Sequence, residues 1–270
     1  MWRMTPTPIA FVGSIPDLYD RHLGPVLFEP YARDLAARLP SGARRVLEIA
    51  AGTGRVTRQL LAHLPIAGEL VATDLSPPML ERAAQLTGPD ARLSWRQADA
   101  QALPVADHTF DVVACQFGLM FVPDKALALR EMHRALAPGG TLLLSTWDSI
   151  ARNPATTLLH ELATAATPHD PPLFMLTPFS MDDAGALASL IRAAGFRDVR
   201  VDTVVLTGES VSASDFAVGL VRGNPLWHQL MERGIDAEVF ERKVSEALIA
   251  RFGDEPCRTS LSAHVVTAIA

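Results

Sequence analysis

The chain alternates between short apolar runs and segments in which apolar residues recur every three to four positions. The apolar runs predict buried parallel strands, and the helical periodicity between them predicts crossover helices. The first five predicted strands cover residues 45–50, 69–74, 93–97, 110–115 and 141–146. Because strand and helix alternate in this order, the pattern indicates a parallel sheet with right-handed crossovers.

Capping and breaking signals mark where the helices between these strands begin and end. Ser76-Pro77-Pro78 is typical of a helix start, and Pro138-Gly139-Gly140 is typical of a helix end. Ahead of the first strand, Gly24-Pro25 predicts that a helical segment breaks into two pieces. The predicted helices cover residues 19–39, 54–64, a segment after Ser76, and 124–137.

The pattern changes after Trp147. Residues 150–180 are rich in Thr, Pro and Ala, which predicts an inserted helix followed by a lid-like loop. Regular elements then return along the rest of the chain. They are a helix at 182–194, a strand at 198–206, two or three helices within 212–252 and a last strand at 262–269.

Composition narrows the class of function. With 270 residues, 49% of them hydrophobic and 20% charged, we expect one large α/β domain with additions and a sizeable core. A formal net charge of −6 argues against double-stranded nucleic acid as a main partner. Cys115 and Cys257 are the two cysteines and form no CxxC motif, so we predict neither a disulfide framework nor a metal site. The sequence shows no signal peptide and no apolar run of about 20 residues, so we expect a cytoplasmic chain without a membrane partner.

The segment Val46–Thr57 carries the main candidate site. Its apolar start is followed by the small residues Ala50–Gly54 and then by helical periodicity. A loop of this kind lets a ligand approach the backbone and meet the unpaired N–H groups of the helix start. Glu48 places a negative charge near the end of the strand, which favours an amine or another positive centre over a phosphate.

Two aspartates follow the next two strands. Asp74 ends the second strand, where doubly wound folds use an acidic residue to bind ribose hydroxyls. It could instead cap the next helix, but Ser76 already occupies that position, so we favour ribose binding. Asp99 could accept a hydrogen bond from an adenine amino group, or it could be an ordinary solvated loop residue. Leu75 and Met79 could enclose the adenine or simply belong to helix packing.

Taken together, these segments resemble the class I S-adenosylmethionine-dependent methyltransferases. The resemblance is closest to the small-molecule, type 11 branch that includes ubiquinone/menaquinone-type enzymes, and it covers about residues 40–205. It is carried by Val46–Gly54, Thr73-Asp74 with Met79, Ala98–Ala100 with Leu103-Pro104, Phe110–Val113, Leu136–Gly140 and Ala194–Phe196. Ala50 departs from the pattern, because the family usually has its first glycine there. The alanine is acceptable provided that its φ is negative.

The resemblance implies an α/β fold with a doubly wound, mostly parallel, seven-stranded Rossmann-like sheet, an N-terminal helical cap and helical and lid insertions. We expect the cap at 1–40, and the core at 41–149 and 182–270 with a helical insertion at about 208–255. The lid over the acceptor site is expected at 150–181.

The resemblance also implies S-adenosyl-L-methionine as the cofactor. Its methionyl amine and sulfonium would lie near Ala50 and Gly52, with Gln116 beside the methionyl part. Tyr19 would belong to an N-terminal helix that closes over the cofactor, although it could equally be a packing residue. The predicted cofactor-binding residues are Tyr19, Glu48, Ala50, Gly52, Gly54, Asp74, Leu75, Met79, Asp99, Ala100 and Gln116.

We therefore predict an enzyme that methylates a small organic acceptor at oxygen, nitrogen or carbon by direct in-line transfer. Orientation of the acceptor and exclusion of water can supply most of the catalysis, and no residue is identified as a general base. We expect His133 to be a solvated or helix-capping residue. His169 and His228 are better placed, but each is more simply explained as an ordinary polar residue.

Aromatic and apolar residues outside the predicted sheet are candidates for the acceptor pocket. The same residues could instead pack the lid and the late helices onto the sheet. The candidates for the wall are Trp147, Phe174, Met175, Phe179 and Trp227, with Phe117 and Met120 at the mouth.

Two other functions remain open from the sequence. An NAD(P)-dependent reductase also pairs a glycine loop with a downstream acidic residue. Against it, Thr57 stands at the third fingerprint position, Glu48 would lie close to a pyrophosphate, and neither Tyr19 nor Tyr31 has a lysine four residues later. A non-catalytic S-adenosylmethionine-binding protein also remains possible, because no base is identified.

Overall fold

Seven strands form one sheet in the computed structural model, which describes residues 13–270. In chain order they are β1 (Arg45–Ile49), β2 (Glu69–Asp74), β3 (Leu93–Gln97), β4 (Phe110–Gln116), β5 (Leu136–Trp147), β6 (Arg197–Ser210) and β7 (Cys257–Ile269). Their order across the sheet is β3-β2-β1-β4-β5-β7-β6; β7 pairs antiparallel with both β5 and β6, and the other pairs are parallel. The predicted mostly parallel, seven-stranded doubly wound sheet is confirmed.

Helices cover the sheet and its carboxyl edge. Between the parallel strands they follow the predicted pattern, because their apolar residues recur at helical spacing and are buried. Within the described residues the α-helices are α1 (Ile15–Leu18), α2 (Glu29–Ala37), α3 (Arg55–His63), α4 (Pro77–Thr87), α5 (Lys125–Ala135), α6 (Pro154–Ala166), α7 (Ala184–Ala193), α8 (Ala213–Arg222), α9 (Leu226–Glu232) and α10 (Ala237–Phe252). No helix in residues 13–270 is long and apolar enough to cross a membrane.

The N-terminal helices contain a π-helix, Tyr19–Phe28, where the sequence predicted a break at Gly24-Pro25. The chain stays helical through both residues and changes to α2 after Phe28. Pro25 has no N–H to donate, which favours an irregular helix at this point. Gly24 lies against the guanidinium group of Arg55, where an added Cβ would be 2.5 Å from Nε. This irregular helix therefore lies against the start of α3; residues 1–12 of the predicted cap lie outside the described residues.

The boundary between α5 and β5 differs from the prediction. The helix ends at Ala135 and the strand begins at Leu136, so Pro138-Gly139-Gly140 lies inside the strand. Leu136 pairs with Phe110, and the N–H of Ala270 donates to the carbonyl of Gly140 at 2.9 Å. The register on β4 then shifts, because Val112 pairs with Thr141, and Gly139 has a φ of +80°, so Pro138-Gly139-Gly140 forms a bulge within the strand.

The last two strands are longer than predicted. β6 pairs with β7 along one antiparallel ladder that runs from Arg197 and Ile269 to Ser210 and Cys257. The added residues at the start of β7 include polar side chains such as Arg258 and Ser260. They therefore form no apolar run from which a strand could be predicted. The predicted helical region between these strands is present as α8, α9 and α10.

Candidate functional site

The carboxyl ends of β1 and β4 meet at the point where the strand order reverses. β2 and β3 lie on one side of β1, and β4 and β5 continue on the other. Ligands of open α/β sheets bind in the crevice at such a point. The predicted site residues that the fold brings to this edge are Ala50, Gly52, Gly54, Asp74, Leu75, Asp99, Ala100 and Gln116.

The loop after β1 forms an open cradle. Gly52 and Gly54 have φ values of +56° and +80°, which glycine adopts without strain. A Cβ added to Gly54 would meet Ala83 at 3.1 Å, whereas one added to Gly52 would meet no atom within 4 Å. Gly52 therefore borders free space into which a ligand could approach the backbone.

Ala50 was expected to have a negative φ, and the structure contradicts this expectation. Its φ is +56°, not negative, so the residue is held in the left-handed region. The following residue holds this turn in place, because the N–H of Ala51 donates a hydrogen bond to the carbonyl of Thr73 at 2.9 Å. The methyl group of Ala50 fits because Gly118, on the neighbouring loop, has no side chain at the point of contact.

Asp74 links the cradle to the end of β2. Its Oδ2 accepts the N–H of Gly52, and its Oδ1 accepts the N–H of Ser76, each at 2.8 Å. Burial raises the pKa of Asp74, although these backbone hydrogen bonds oppose the shift. Ser76 lies at the N-cap position of α4 as predicted, but its side chain makes no capping hydrogen bond.

Glu48 is buried, with 1% of its surface exposed, and its electrostatic role needs correction. Thr57 donates a hydrogen bond of 2.6 Å to Oε2. Burial nevertheless raises the pKa of Glu48 to about 8. The carboxyl group is therefore mostly neutral at pH 7 in this state. A cation bound beside it would be needed to restore the negative charge that the sequence suggested.

The π-helix places Tyr19 over this crevice. The ring of Tyr19 stacks on that of Phe28 with centroids 4.7 Å apart. Burial, followed by the nearby charge of Asp74, raises the pKa of Tyr19 well above its usual range. Its buried neighbour Asp20 accepts a hydrogen bond of 3.1 Å from Nε of Arg55, at the start of α3. Asp20 also accepts a hydrogen bond of 3.0 Å from the hydroxyl of Thr53, so the predicted closing helix is fastened both to the glycine loop and to α3.

The residues predicted to surround the adenine differ in exposure. Leu75 is 62% exposed although it is apolar, whereas Met79 is buried in the packing of α4. Asp99 accepts hydrogen bonds from the backbone N–H of Gln101 at 2.8 Å and from its side-chain amide at 3.1 Å. Ala100 is partly buried beside it. Leu75 and Asp99 follow the neighbouring strands β2 and β3, so the fold brings them to one edge.

Gln116 supplies an unused hydrogen-bond acceptor at the end of β4. Its Nε2 donates to the carbonyl of Phe28 at 3.1 Å, but its buried Oε1 has no partner among residues 13–270. Buried polar atoms are nearly always paired, so this oxygen is able to accept a hydrogen bond from a bound ligand. The amine of S-adenosylmethionine can donate such a hydrogen bond, and the open side of Gly52 and the exposed Leu75 also fit that cofactor.

An aromatic cavity adjoins this crevice and shares Tyr19 with it. It contains about 690 Å³ of space free of protein atoms, part of which opens to solvent. Seven aromatic side chains contribute to its wall. They are Tyr19, Phe28, Phe117, Phe121, Trp147, Phe174 and Phe179.

Most of the predicted wall residues line this cavity, including Trp147, Phe174, Met175, Phe179 and Phe117. Two others do not. Trp227 lies 5.4 Å from the guanidinium carbon of Arg222, outside the lining, and Met120 is buried in the core. Phe28 and Phe121 also line the cavity and were not predicted, because each ends a helix that lacks the α-helical period: Phe28 ends the π-helix and Phe121 ends a 3₁₀-helix.

The two asparagines of the cavity wall are already hydrogen-bonded within the protein. Asn153 exchanges hydrogen bonds of 3.0 Å with both the N–H and the carbonyl of Ser262. Asn224 donates to the carbonyl of Leu220 and accepts from the N–H of Leu226. Among residues 13–270, the lining contains no Asp, Glu, His, Lys or Arg. The cavity therefore offers mainly carbon surface.

None of the three histidines considered from the sequence lines the cavity. His133 lies partly exposed in the last turn of α5, where its ring packs edge-on against Phe196 with centroids 5.0 Å apart. His169 and His228 are exposed. No cluster of three or more potential metal ligands occurs within the described part of the chain.

Two buried histidines were not identified from the sequence. Nδ1 of His22 in the π-helix lies 2.8 Å from Oδ1 of Asp215 in α8. His264 in β7 is bonded through Nδ1 to the Thr203 hydroxyl and through Nε2 to the Asp182 carbonyl. Both histidines have structural partners, and a single histidine in an apolar run gives no signal of such contacts.

Comparison with known proteins identifies the same region. A family model described as a methyltransferase domain matches residues 47–144. The chain is 34% identical over 177 residues to the ubiquinone/menaquinone biosynthesis C-methyltransferase of Dinoroseobacter shibae, in an alignment covering 60% of this chain and 69% of the relative. In alignments with further curated relatives it spans 42% or 44% of their length.

Solved methyltransferase structures share the fold. A possible histamine N-methyltransferase from Thermotoga maritima matches with a TM-score of 0.56 and 18% identity, covering 96% of each chain. A phosphoethanolamine N-methyltransferase from Haemonchus contortus, in complex with phosphomonomethylethanolamine and S-adenosylhomocysteine, matches with a TM-score of 0.54 and 15% identity. That alignment covers 96% of this chain and 61% of the neighbour. These structures show the fold alone; the matching family model and the Dinoroseobacter relative support methyl transfer over the reductase alternative.

Proposed function

The chain belongs to the class I S-adenosylmethionine-dependent methyltransferases, and on that premise we propose that it methylates an apolar, planar phenol or quinol. It is a small-molecule methyltransferase that uses S-adenosylmethionine. The observation that carries the proposal on the acceptor is the aromatic cavity beside the cofactor crevice, whose wall contains seven aromatic rings. Aromatic walls favour flat, apolar ligands.

The cofactor would be held by the residues at the carboxyl edge of the sheet. Asp74 would accept from the ribose hydroxyls, Gln116 Oε1 would accept from the methionyl amine, and Leu75 would cover the adenine. Gly52 would leave room for the cofactor beside the backbone. When bound, S-adenosylmethionine supplies a methyl group that is already strongly electrophilic.

The protein then has to orient the acceptor and exclude water. Tyr19 is the one ionisable side chain in the described lining, and its raised pKa keeps the hydroxyl protonated near neutral pH. It can therefore donate a hydrogen bond but cannot serve as a general base. The acceptor would have to bring its own nucleophile, such as a phenolate oxygen or the ring carbon that a phenolic hydroxyl activates. The name of the Dinoroseobacter relative favours the ring carbon.

Methyl transfer to a matched panel would test this proposal. We would incubate the purified protein with methyl-labelled S-adenosylmethionine and with 2-naphthol, 1,4-dihydroxynaphthalene, phosphoethanolamine or histamine. We expect turnover of the two naphthalenes, with the charged amines as negative controls. Faster methylation of phosphoethanolamine or histamine than of either naphthalene would refute the proposed acceptor class.

A further inference from the structure

Phe117, at the end of β4, has a strained backbone. Its φ is +53°, which is unusual for any residue with a side chain and rare for a bulky one. Its N–H donates to the carbonyl of Ser145 at 3.0 Å, which holds the turn in place. Strain of this kind persists only where the surroundings stabilise it, and it is common at functional sites.

The strained turn places Phe117 face to face with Trp147. The two ring centroids are 3.9 Å apart and the planes differ by 3°. Both rings line the aromatic cavity, at the ends of the adjacent strands β4 and β5. The pair therefore forms one flat-sided block in the cavity wall.

Tyr31 fixes this pair from behind. It lies in α2, is buried, and does not line the cavity. Its ring meets Phe117 edge-on at 5.4 Å and 86°, and meets Trp147 edge-on at 5.5 Å and 89°. Its hydroxyl donates to the carbonyl of Val204 in β6 at 2.9 Å, which anchors the ring to the sheet.

We propose that Tyr31 is a positioning residue that makes the Phe117–Trp147 pair rigid and so makes the enzyme select planar acceptors. The inference rests on the proposed function. Aromatic side chains rotate about broad torsional minima, so an unsupported pair would sample several orientations. A pair held by two edge-on contacts presents a preformed surface, which lowers the entropic cost of stacking a flat ligand. A saturated ligand of equal size gains little from that surface.

The test compares 2-naphthol with decahydro-2-naphthol, which has the same carbon skeleton but is not flat. Dissociation constants would be measured by tryptophan fluorescence for the wild type, Tyr31→Phe and Tyr31→Leu, together with kcat and KM for 2-naphthol. We expect Tyr31→Leu to reduce the preference for the planar compound about tenfold, because binding would then have to order the two loosened rings. Tyr31→Phe retains the ring and should retain most of the preference.

Each outcome decides a different point. If the wild type binds neither compound, the proposed acceptor class fails and this inference fails with it. If the wild type prefers 2-naphthol and Tyr31→Leu prefers it by the same factor as the wild type, only the role of Tyr31 is refuted. Tyr31→Met, which has a similar volume to leucine, serves for the same comparison if Tyr31→Leu does not fold.

Discussion

Replacing Gly118 by alanine should destabilise the protein through a collision with one neighbouring methyl group. Gly118 has φ −99° and ψ −40°, a conformation that alanine adopts freely. Its added Cβ, however, would collide with the Cβ of Ala50 and lie 3.1 Å from the sulfur of Cys115. The methyl group of Ala50 is attached directly to the backbone and cannot rotate away. Overpacking of this kind costs about 1–3 kcal/mol.

The partner variant, Ala50→Gly, removes the colliding atom. It also relieves an alanine held at φ +56°, a gain of about 1–2 kcal/mol. Against this, glycine adds about 0.5–1 kcal/mol of backbone entropy cost, and up to about 0.8 kcal/mol of methyl burial is lost. The variant should therefore lie between about 0.8 kcal/mol less stable and about 1.5 kcal/mol more stable than the wild type. In its background, Gly118→Ala should lose most of its penalty, giving a coupling of about 1–3 kcal/mol.

Equilibrium urea unfolding of the four proteins, followed by far-ultraviolet circular dichroism, measures this coupling. Gly42→Ala is the matched control, because Gly42 is exposed and an added Cβ would meet no atom within 4 Å. It should cost little and should not couple to Ala50. If Gly118→Ala is equally destabilising with alanine and with glycine at position 50, the contact does not determine the geometry of the loop.

Three further predictions concern ionisable side chains around the crevice. Asp74→Ala should weaken S-adenosylmethionine binding by about 1–3 kcal/mol in calorimetric titration, and an unchanged affinity would remove Asp74 from the site. Burial raises the pKa of Glu48 from 4.5 to about 8, so its contribution to stability is present below pH 4.5 and is lost as pH rises through 8. Glu48→Gln should therefore reduce the fall in unfolding free energy between pH 5 and pH 8.5, and an identical fall in both proteins would contradict the burial effect. Arg55→Ala removes the nearer guanidinium partner of buried Asp20 but leaves Arg58 at 3.7 Å and the hydroxyl of Thr53, so it should cost about 1–3 kcal/mol and speed proteolysis within the π-helix. An unchanged cleavage rate would show that the ion pair does not fasten that helix.

The sequence by itself determined the sheet and the position of the cofactor crevice. Both depend on local signals: apolar runs for strands, three- to four-residue periodicity for helices, and small residues where β1 turns into α3. Asp74 could be found in the same way, because its place at the end of the second strand is set by spacing along the chain. The order of these landmarks also indicated the methyltransferase family.

Only the tertiary structure decided how several of these residues behave. The strain at Ala50 is tolerated because Gly118, far along the chain, leaves room for its methyl group. The protonation of Glu48 depends on complete burial, which the sequence around it does not reveal. The aromatic cavity combines rings from the π-helix, the ends of β4 and β5 and the segment before α7. Only the folded arrangement shows that Phe121 lines this cavity and that Trp227 does not. Such properties arise from contacts between residues that are distant in sequence. These contacts leave no periodic pattern in the sequence, so they cannot be predicted from it.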